Sequence, residues 1–251
     1  MYLYFWLLIS ILFNPLYSMD ESINTIVEKQ YRGFIESTKE KLRGVHIIKN
    51  NNFHAFFTNS LDCHKNFVTW CNFPQKEALE VAREVCCAKE YLIWWISPST
   101  PKGIPAFLEK RGFKPFSLPA LYCSLPIKLS HENQKKVKEL TDCSIIEQHI
   151  TPSDNYYYKL CKEGIQICKG TLYLCEDQSW SIICNVETKS EFRRQGYATK
   201  LMAYILERAK RYNREYAMLI ASPDAIKLYQ NLGFIKAFES SYHYREMKKD
   251  K

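Results

Sequence analysis

Residues 181–200 leave few arrangements open to the chain. Residues 181–186 form a short apolar and β-branched run, and from Gly196 onward Leu201, Ile205, Ala209 and Tyr212 recur at helical spacing. A strand therefore gives way to a helix through a short loop that reverses direction at the helix N-terminus. Such a junction suits an anion. First-turn N–H groups have no partner within the helix, and the helix dipole places partial positive charge there. Gly196 and Ala198 put no bulky side chain between an anion and the backbone, and Arg193 and Arg194 flank the turn.

Two motifs follow in order. Arg193-x-x-Gly196-x-Ala198 resembles the pyrophosphate-binding motif of the GNAT superfamily, the acyl-CoA-dependent N-acyltransferases, whose pattern is Gln/Arg-x-x-Gly-x-Gly/Ala. Ala225-x-x-Leu228-Tyr229-x-x-x-Gly233-Phe234 resembles the second signature of the same family, Ala-x-x-Leu-Tyr-x-x-x-Gly-Phe. The surrounding pattern is compatible. Residues 156–160, 165–175 and 179–186 read as strands joined by turns at 162–164 and 176–178, and 217–220 reads as a buried strand. Ser222 and Pro223 then open a helix that Gly233 closes.

The resemblance implies an α+β fold with a mixed sheet, the GNAT fold, and acetyl-CoA as cosubstrate with no metal. It implies that Arg193, Arg194, Gln195, Gly196, Tyr197, Ala198 and Thr199 hold the pyrophosphate. Val186 and Thr188, with their neighbours, would contact the pantetheine arm and the thioester carbonyl. Acyl transfer from a thioester also needs a base for the ammonium and a proton for the departing thiolate. Tyr229 matches the family tyrosine that donates that proton, and also fits a packed helix face. Glu187 is the nearest carboxylate on the central strand and the candidate base; a surface glutamate, with deprotonation through water, is the alternative.

The implied activity is acetyl transfer to a primary amine of a small molecule or of a peptide or protein. A catalytically silent CoA-binding regulatory protein stays open, as does a binder of nucleic acid or a membrane surface. The formal charge of +8 fits any polyanionic partner, and equally a solvated surface with a loose basic tail at Lys248, Lys249 and Lys251. The expected partners are acetyl-CoA and an amine acceptor, with no nucleic acid or membrane, in a monomer or homodimer.

With 251 residues, 46% of them hydrophobic, there is material for one large or two modest cores. A repeat organises it. Residues 92–96, Ser97-Pro98, a helix near Phe107 to Arg111, Gly112-Phe113 and a strand through Leu121 to Cys123 match the order of 218–220, Ser222-Pro223, 226–231, Gly233-Phe234 and 242–244. The first copy has Leu108 where the second has Tyr229, and no glycine loop precedes its helix at 77–88. The expectation is two tandem GNAT-like units: a degenerate one over 19–127, a polar linker over 128–140, and a catalytic one over 141–251. A single α+β domain with a coincidental Gly-Phe repeat is the alternative.

Ten cysteines without a Cys-x-x-Cys pair read as reduced core thiols of a cytoplasmic protein. Cys63-His64 with Cys71 lacks the fourth ligand and spacing of a zinc site. The apolar run within residues 1–18 is short for a bilayer and lacks the basic start and cleavage site of a signal peptide. The expectation is a natural start at Met19, with a membrane anchor as the alternative.

Overall fold

The computed structural model describes residues 19–40, 46–50, 53–57, 67–70, 93–96, 100, 103–150, 155–175 and 178–244. The expected helix at 77–88, the Cys63-His64 and Cys71 group, residues 1–18 and the basic tail lie outside them. Helix α1 (Met19–Glu40) is followed by strands β1 (His46–Asn50), β2 (Phe53–Phe57), β3 (Phe67–Trp70) and β4 (Ile93–Ile96). Then come α2 (Gly103–Glu109), β5 (Lys114–Ser124), α3 (His131–Glu139), β6 (Cys143–Ile150), β7 (Asn155–Lys162), β8 (Ile165–Leu174) and β9 (Trp180–Thr188). Helix α4 (Tyr197–Arg211), β10 (Tyr216–Ile220), α5 (Ile226–Asn231) and β11 (Ile235–Tyr244) complete the order.

Among the described residues, eleven strands join one sheet, in the order β1-β2-β3-β4-β11-β5-β10-β9-β8-β7-β6. The repeat seen in the sequence is written into this topology. In the first half, β1-β2-β3 are antiparallel neighbours and β3 runs parallel to β4. In the second half, β7-β8-β9 are antiparallel neighbours and β9 runs parallel to β10. The halves then exchange strands. The strand after α2, β5, pairs with β10 from the second half, and the strand after α5, β11, pairs with β4 from the first. The exchanged strands pair with each other, from Ile235↔Tyr122 to Tyr244↔Lys114.

Both helix ends that carry Gly-Phe close in the same way. The Leu108 carbonyl accepts from the N–H groups of Arg111 and Phe113, and the Tyr229 carbonyl accepts from those of Leu232 and Phe234. Each ending needs a left-handed residue at its glycine, with φ of 80° at Gly112 and 89° at Gly233.

Helices cover both faces of the sheet. On one, Leu201, Met202, Ile205, Leu206 and Ala209 of α4 are fully buried against Tyr158, Leu160, Leu172 and Ile183, as the helical spacing predicts. On the other, Val27 of α1 packs with Trp95, Trp180, Ile182, Met218 and Tyr242. Covered on both sides, residues 180–183 of β9 are all buried, and the one polar side chain among them, Ser181, donates to the Tyr216 carbonyl at 3.0 Å. Among the described residues, no helix is long and apolar enough to cross a membrane.

The segment expected to be a polar linker contains a helix. The Ser130 hydroxyl caps α3 by accepting from the Asn133 N–H at 3.3 Å, and the buried Asn133 side chain donates to the Asn231 carbonyl at 3.3 Å. Leu129 and Leu140 pack against the α4-side core. Charged residues dominate its composition because most of its surface is exposed, while these few contacts seat it on the fold.

Candidate active site

The site begins with a defect in β9. Thr171 pairs with Cys184 and Lys169 with Glu187, so Gly170 alone faces both Asn185 and Val186. That is a β-bulge, and Asn185 takes it up with φ of 54°, a left-handed conformation that asparagine tolerates better than its β-branched neighbours would. The bulge shifts the alternation of the strand by one. Val186 lands on the α4 face, with Cγ2 3.6 Å from where a Gly170 Cβ would sit, and Glu187 on the opposite face. A Gly170 Cβ would also stand 3.0 Å from Ile205 Cδ1, so the glycine lets α4 approach the strand closely.

Next to the bulge the sheet opens. Strands β9 and β10 pair only through Trp180↔Tyr216, Ser181↔Ala217 and Ile182↔Met218. Beyond them β9 stays with β8 as far as Thr188↔Cys168, and β10 stays with β5 as far as Ile220↔Ala120. Each strand follows its other neighbour, and a wedge forms beside residues 183–188 of β9.

The loop at the end of this wedge is held by its own bonds. The Lys189 N–H donates to the Ile167 carbonyl at 3.0 Å, Arg193 Nε to the Thr188 carbonyl at 3.1 Å, and Gln195 Nε2 to the Glu191 carbonyl at 3.0 Å. Arg194 and Gly196 both have positive φ, 64° and 88°. The first helical bond runs from the Lys200 N–H to the Gly196 carbonyl at 3.0 Å. Among the described residues, the backbone N–H groups of Arg194 through Thr199 donate to no acceptor. A run of unpaired donors at a helix start, beside exposed Arg193 and Arg194, is an anion cradle.

The predicted residues do not all contribute side chains. Arg193, Arg194 and Gln195 are exposed on the loop, and Ala198 is half-buried. Tyr197 and Thr199 are buried, with the Tyr197 ring 6.0 Å from that of Phe192, so what they offer at the loop is their backbone N–H. The Thr188 hydroxyl donates to Cys168 Sγ at 3.1 Å. At Gly196 a Cβ would meet the protein's own atoms only at ordinary distances, 3.7 Å from Leu140 Cδ1 and 3.8 Å from Lys136 Cβ. Within the protein itself it is the backbone conformation, φ of 88°, that calls for glycine.

Tyr229 lies on α5, 6% exposed, with its ring 5.7 Å from that of Phe234. Burial, with a smaller contribution from the nearby Cys168 thiol, pushes its hydroxyl up to about 12, and that hydroxyl bonds to none of the described residues. Glu187 is placed poorly for the base expected of it. Its side chain is 61% exposed and paired with Lys169 Nζ at 2.7 Å, and the hydrogen bond and charge of Lys169 hold its carboxyl below the usual range. A base near neutrality needs the opposite shift. Leu108, the first-copy counterpart of Tyr229, is fully buried. Among the described residues, no group of three or more His, Cys, Asp or Glu side chains is placed to hold a metal ion.

The bulge at Asn185, the contact of α3 with the loop and the strand exchange were missed in the sequence. Only the first left a signal, an asparagine inside a β-branched run.

Comparison with known proteins follows the same lines. Residues 153–236 match the model of the acetyltransferase (GNAT) domain family. No curated protein matches the sequence. Among solved structures, a GCN5-related N-acetyltransferase from Kribbella flavida is similar with a TM-score of 0.61 at 14% identity, over 89% of this chain and 95% of that one. A GCN5-related N-acetyltransferase-like protein from Streptococcus suis gives 0.53 at 14% identity, over 82% and 90%. A tandem GNAT protein from the clavulanic acid biosynthesis pathway gives 0.54 at 10% identity, over 80% and 83%. At these identities the likeness is one of fold. The chain therefore carries a GNAT acetyltransferase domain, matched over residues 153–236 and set in the GNAT fold.

Proposed function

We propose that the protein is an acetyl-CoA-dependent N-acetyltransferase acting on a primary amine of a small molecule, peptide or protein, in the cytoplasm. The observation that carries this reading is the run of unpaired N–H donors at residues 194–199, at the mouth of the wedge between β9 and β10. The donors take the pyrophosphate of CoA, Arg193 and Arg194 add charge-assisted bonds, and the wedge admits the pantetheine arm beside Val186 and Thr188. The first unit over 19–127 repeats the topology without a tyrosine at Leu108, and we assign it a supporting role.

The chemistry is an addition and an elimination. The neutral amine nitrogen attacks the thioester carbonyl and a C–N bond forms; the C–S bond breaks and CoA leaves as thiolate. Backbone N–H groups freed beside the bulge are suited to the developing oxyanion. Tyr229 donates its hydroxyl hydrogen toward the leaving sulfur. Its elevated pKa keeps the proton in place at neutral pH, but a thiol ionises near about 8.5, so complete transfer runs uphill by roughly 3 to 4 units. Tyr229 therefore stabilises the thiolate chiefly as a hydrogen-bond donor, and solvent completes its protonation. The ammonium proton leaves through water, since Glu187 is tied to Lys169.

An amine-panel assay with acetyl-CoA, read by thiol release and by mass increase of the acceptor, tests this. Acetylated product from at least one amine supports the enzyme. Saturable CoA binding without turnover across the panel would favour the silent binding protein, and absence of binding would refute the site.

A further inference from the structure

Helix α3 lies outside residues 153–236, yet it stands against the loop that the proposed function assigns to the phosphates of CoA. Three ties fix it there. Asn133 Nδ2 donates to the Asn231 carbonyl on α5, Lys200 Nζ of the first turn of α4 donates to the Leu140 carbonyl, and Leu140 packs into the core. The helix thus bridges the start of α4 and the end of α5. Lys136 Cβ lies 3.8 Å from the position a Gly196 Cβ would take, so the Lys136 side chain is rooted beside the middle of the unpaired donors.

The Lys136 ammonium now rests on Glu132 Oε1 at 2.6 Å, with the two side chains 52% and 76% exposed. An exposed i, i+4 pair of this kind is weak and exchanges readily for a better anion. A phosphate offers more charge and a stronger charge-assisted bond to the same flexible stem. Lys200 cannot take this role while its amine is on the Leu140 carbonyl; it positions α3 instead.

We propose that Lys136 binds a phosphate of the nucleotide end of CoA, so that α3 completes from outside the matched domain a site the loop begins. The proposal rests on the reading of the loop as a CoA site, and it makes Glu132 a competitor whose removal favours the ligand.

The test is calorimetric titration of the full chain and its variants with acetyl-CoA and with 3′-dephospho-CoA. Lys136→Gln should raise the Kd for acetyl-CoA about 10-fold, the scale of one lost charge-assisted contact. Glu132→Gln should lower it, a result that a merely structural helix would not give. Lys138→Gln, which removes the same charge from an exposed side chain of α3 about 200° around the helix axis from Lys136, should leave it unchanged. A loss in Lys136→Gln seen with both ligands places the contact at the diphosphate, and one seen only with acetyl-CoA places it at the 3′-phosphate; either supports the proposal. Wild-type affinity in Lys136→Gln, or an equal loss in Lys138→Gln, overturns it while leaving the loop assignment standing. Failure of the wild-type protein to bind acetyl-CoA overturns both.

Discussion

Removing one oxygen from Tyr229 separates its two roles. The residue is only 6% exposed and its ring packs against Phe234, and both features survive in Tyr229→Phe. The hydroxyl bonds to none of the described residues, so its loss breaks no internal hydrogen bond. Tyr229 Oη is not among the buried side-chain atoms left without a partner, so removing the hydroxyl relieves no desolvation penalty and should change stability by no more than about 0.5 kcal/mol. Catalysis should respond instead. Assistance to a leaving group is worth about 10²- to 10⁴-fold, and because a hydroxyl pushed up to about 12 transfers its proton reluctantly, the loss in kcat should fall near the lower end. The assay is single-turnover acetyl transfer, where chemistry limits the rate, with thermal denaturation and acetyl-CoA titration on the same samples. Unchanged Kd and Tm with reduced turnover support the role. Full single-turnover rate in Tyr229→Phe would show that the residue only packs.

Gly196 and the buried thiol Cys123 give two further predictions. Gly196→Ala forces an L-residue to φ of 88° and should cost about 1–2 kcal/mol together with much of the acetyl-CoA affinity, whereas Gly196→Asn, better suited to positive φ, should recover part of both; an alanine variant with wild-type Tm and Kd would refute the conformational argument. Burial pushes the Cys123 thiol up to about 12, so the folded protein keeps a proton that the unfolded chain releases near about 8.5. That stabilisation is intact below pH about 9 and is lost as pH rises toward 12, with unfolding free energy falling by about 1.4 kcal/mol per pH unit from this group. Denaturant titrations between pH 9 and 11 should show a shallower decline in Cys123→Ala, and parallel slopes would contradict it.

Local chemistry was legible in the sequence where the determinants are neighbours along the chain. The strand, loop and helix around Gly196, the closing glycines at 112 and 233 and the buried stripe of α4 follow from spacing and from what glycine permits. Repetition was legible too, because Leu108 and Tyr229 end their helices through the same pair of bonds. Strand exchange was not. Nothing in residues 114–124 states that they will pair with β10 and β11 rather than with their own half, since both partners present apolar edges and the choice is made by long-range packing. Helix α3 was hidden by its charge, with a single buried polar side chain, Asn133, among exposed ones. Glu187 illustrates the limit of proximity in sequence: one bulge at Asn185 turned it toward Lys169 on the opposite face from Val186.

The central claim is that the unpaired N–H groups at residues 194–199 hold the phosphates of CoA. Amide chemical shifts of isotopically labelled, deuterated protein during titration with acetyl-CoA test it at those atoms. The account predicts saturable shifts concentrated at residues 194–199 and along 183–188, with downfield movement of the loop amides as they gain acceptors. Saturable binding that leaves the amides of residues 194–199 unmoved, or no binding at all, would contradict it.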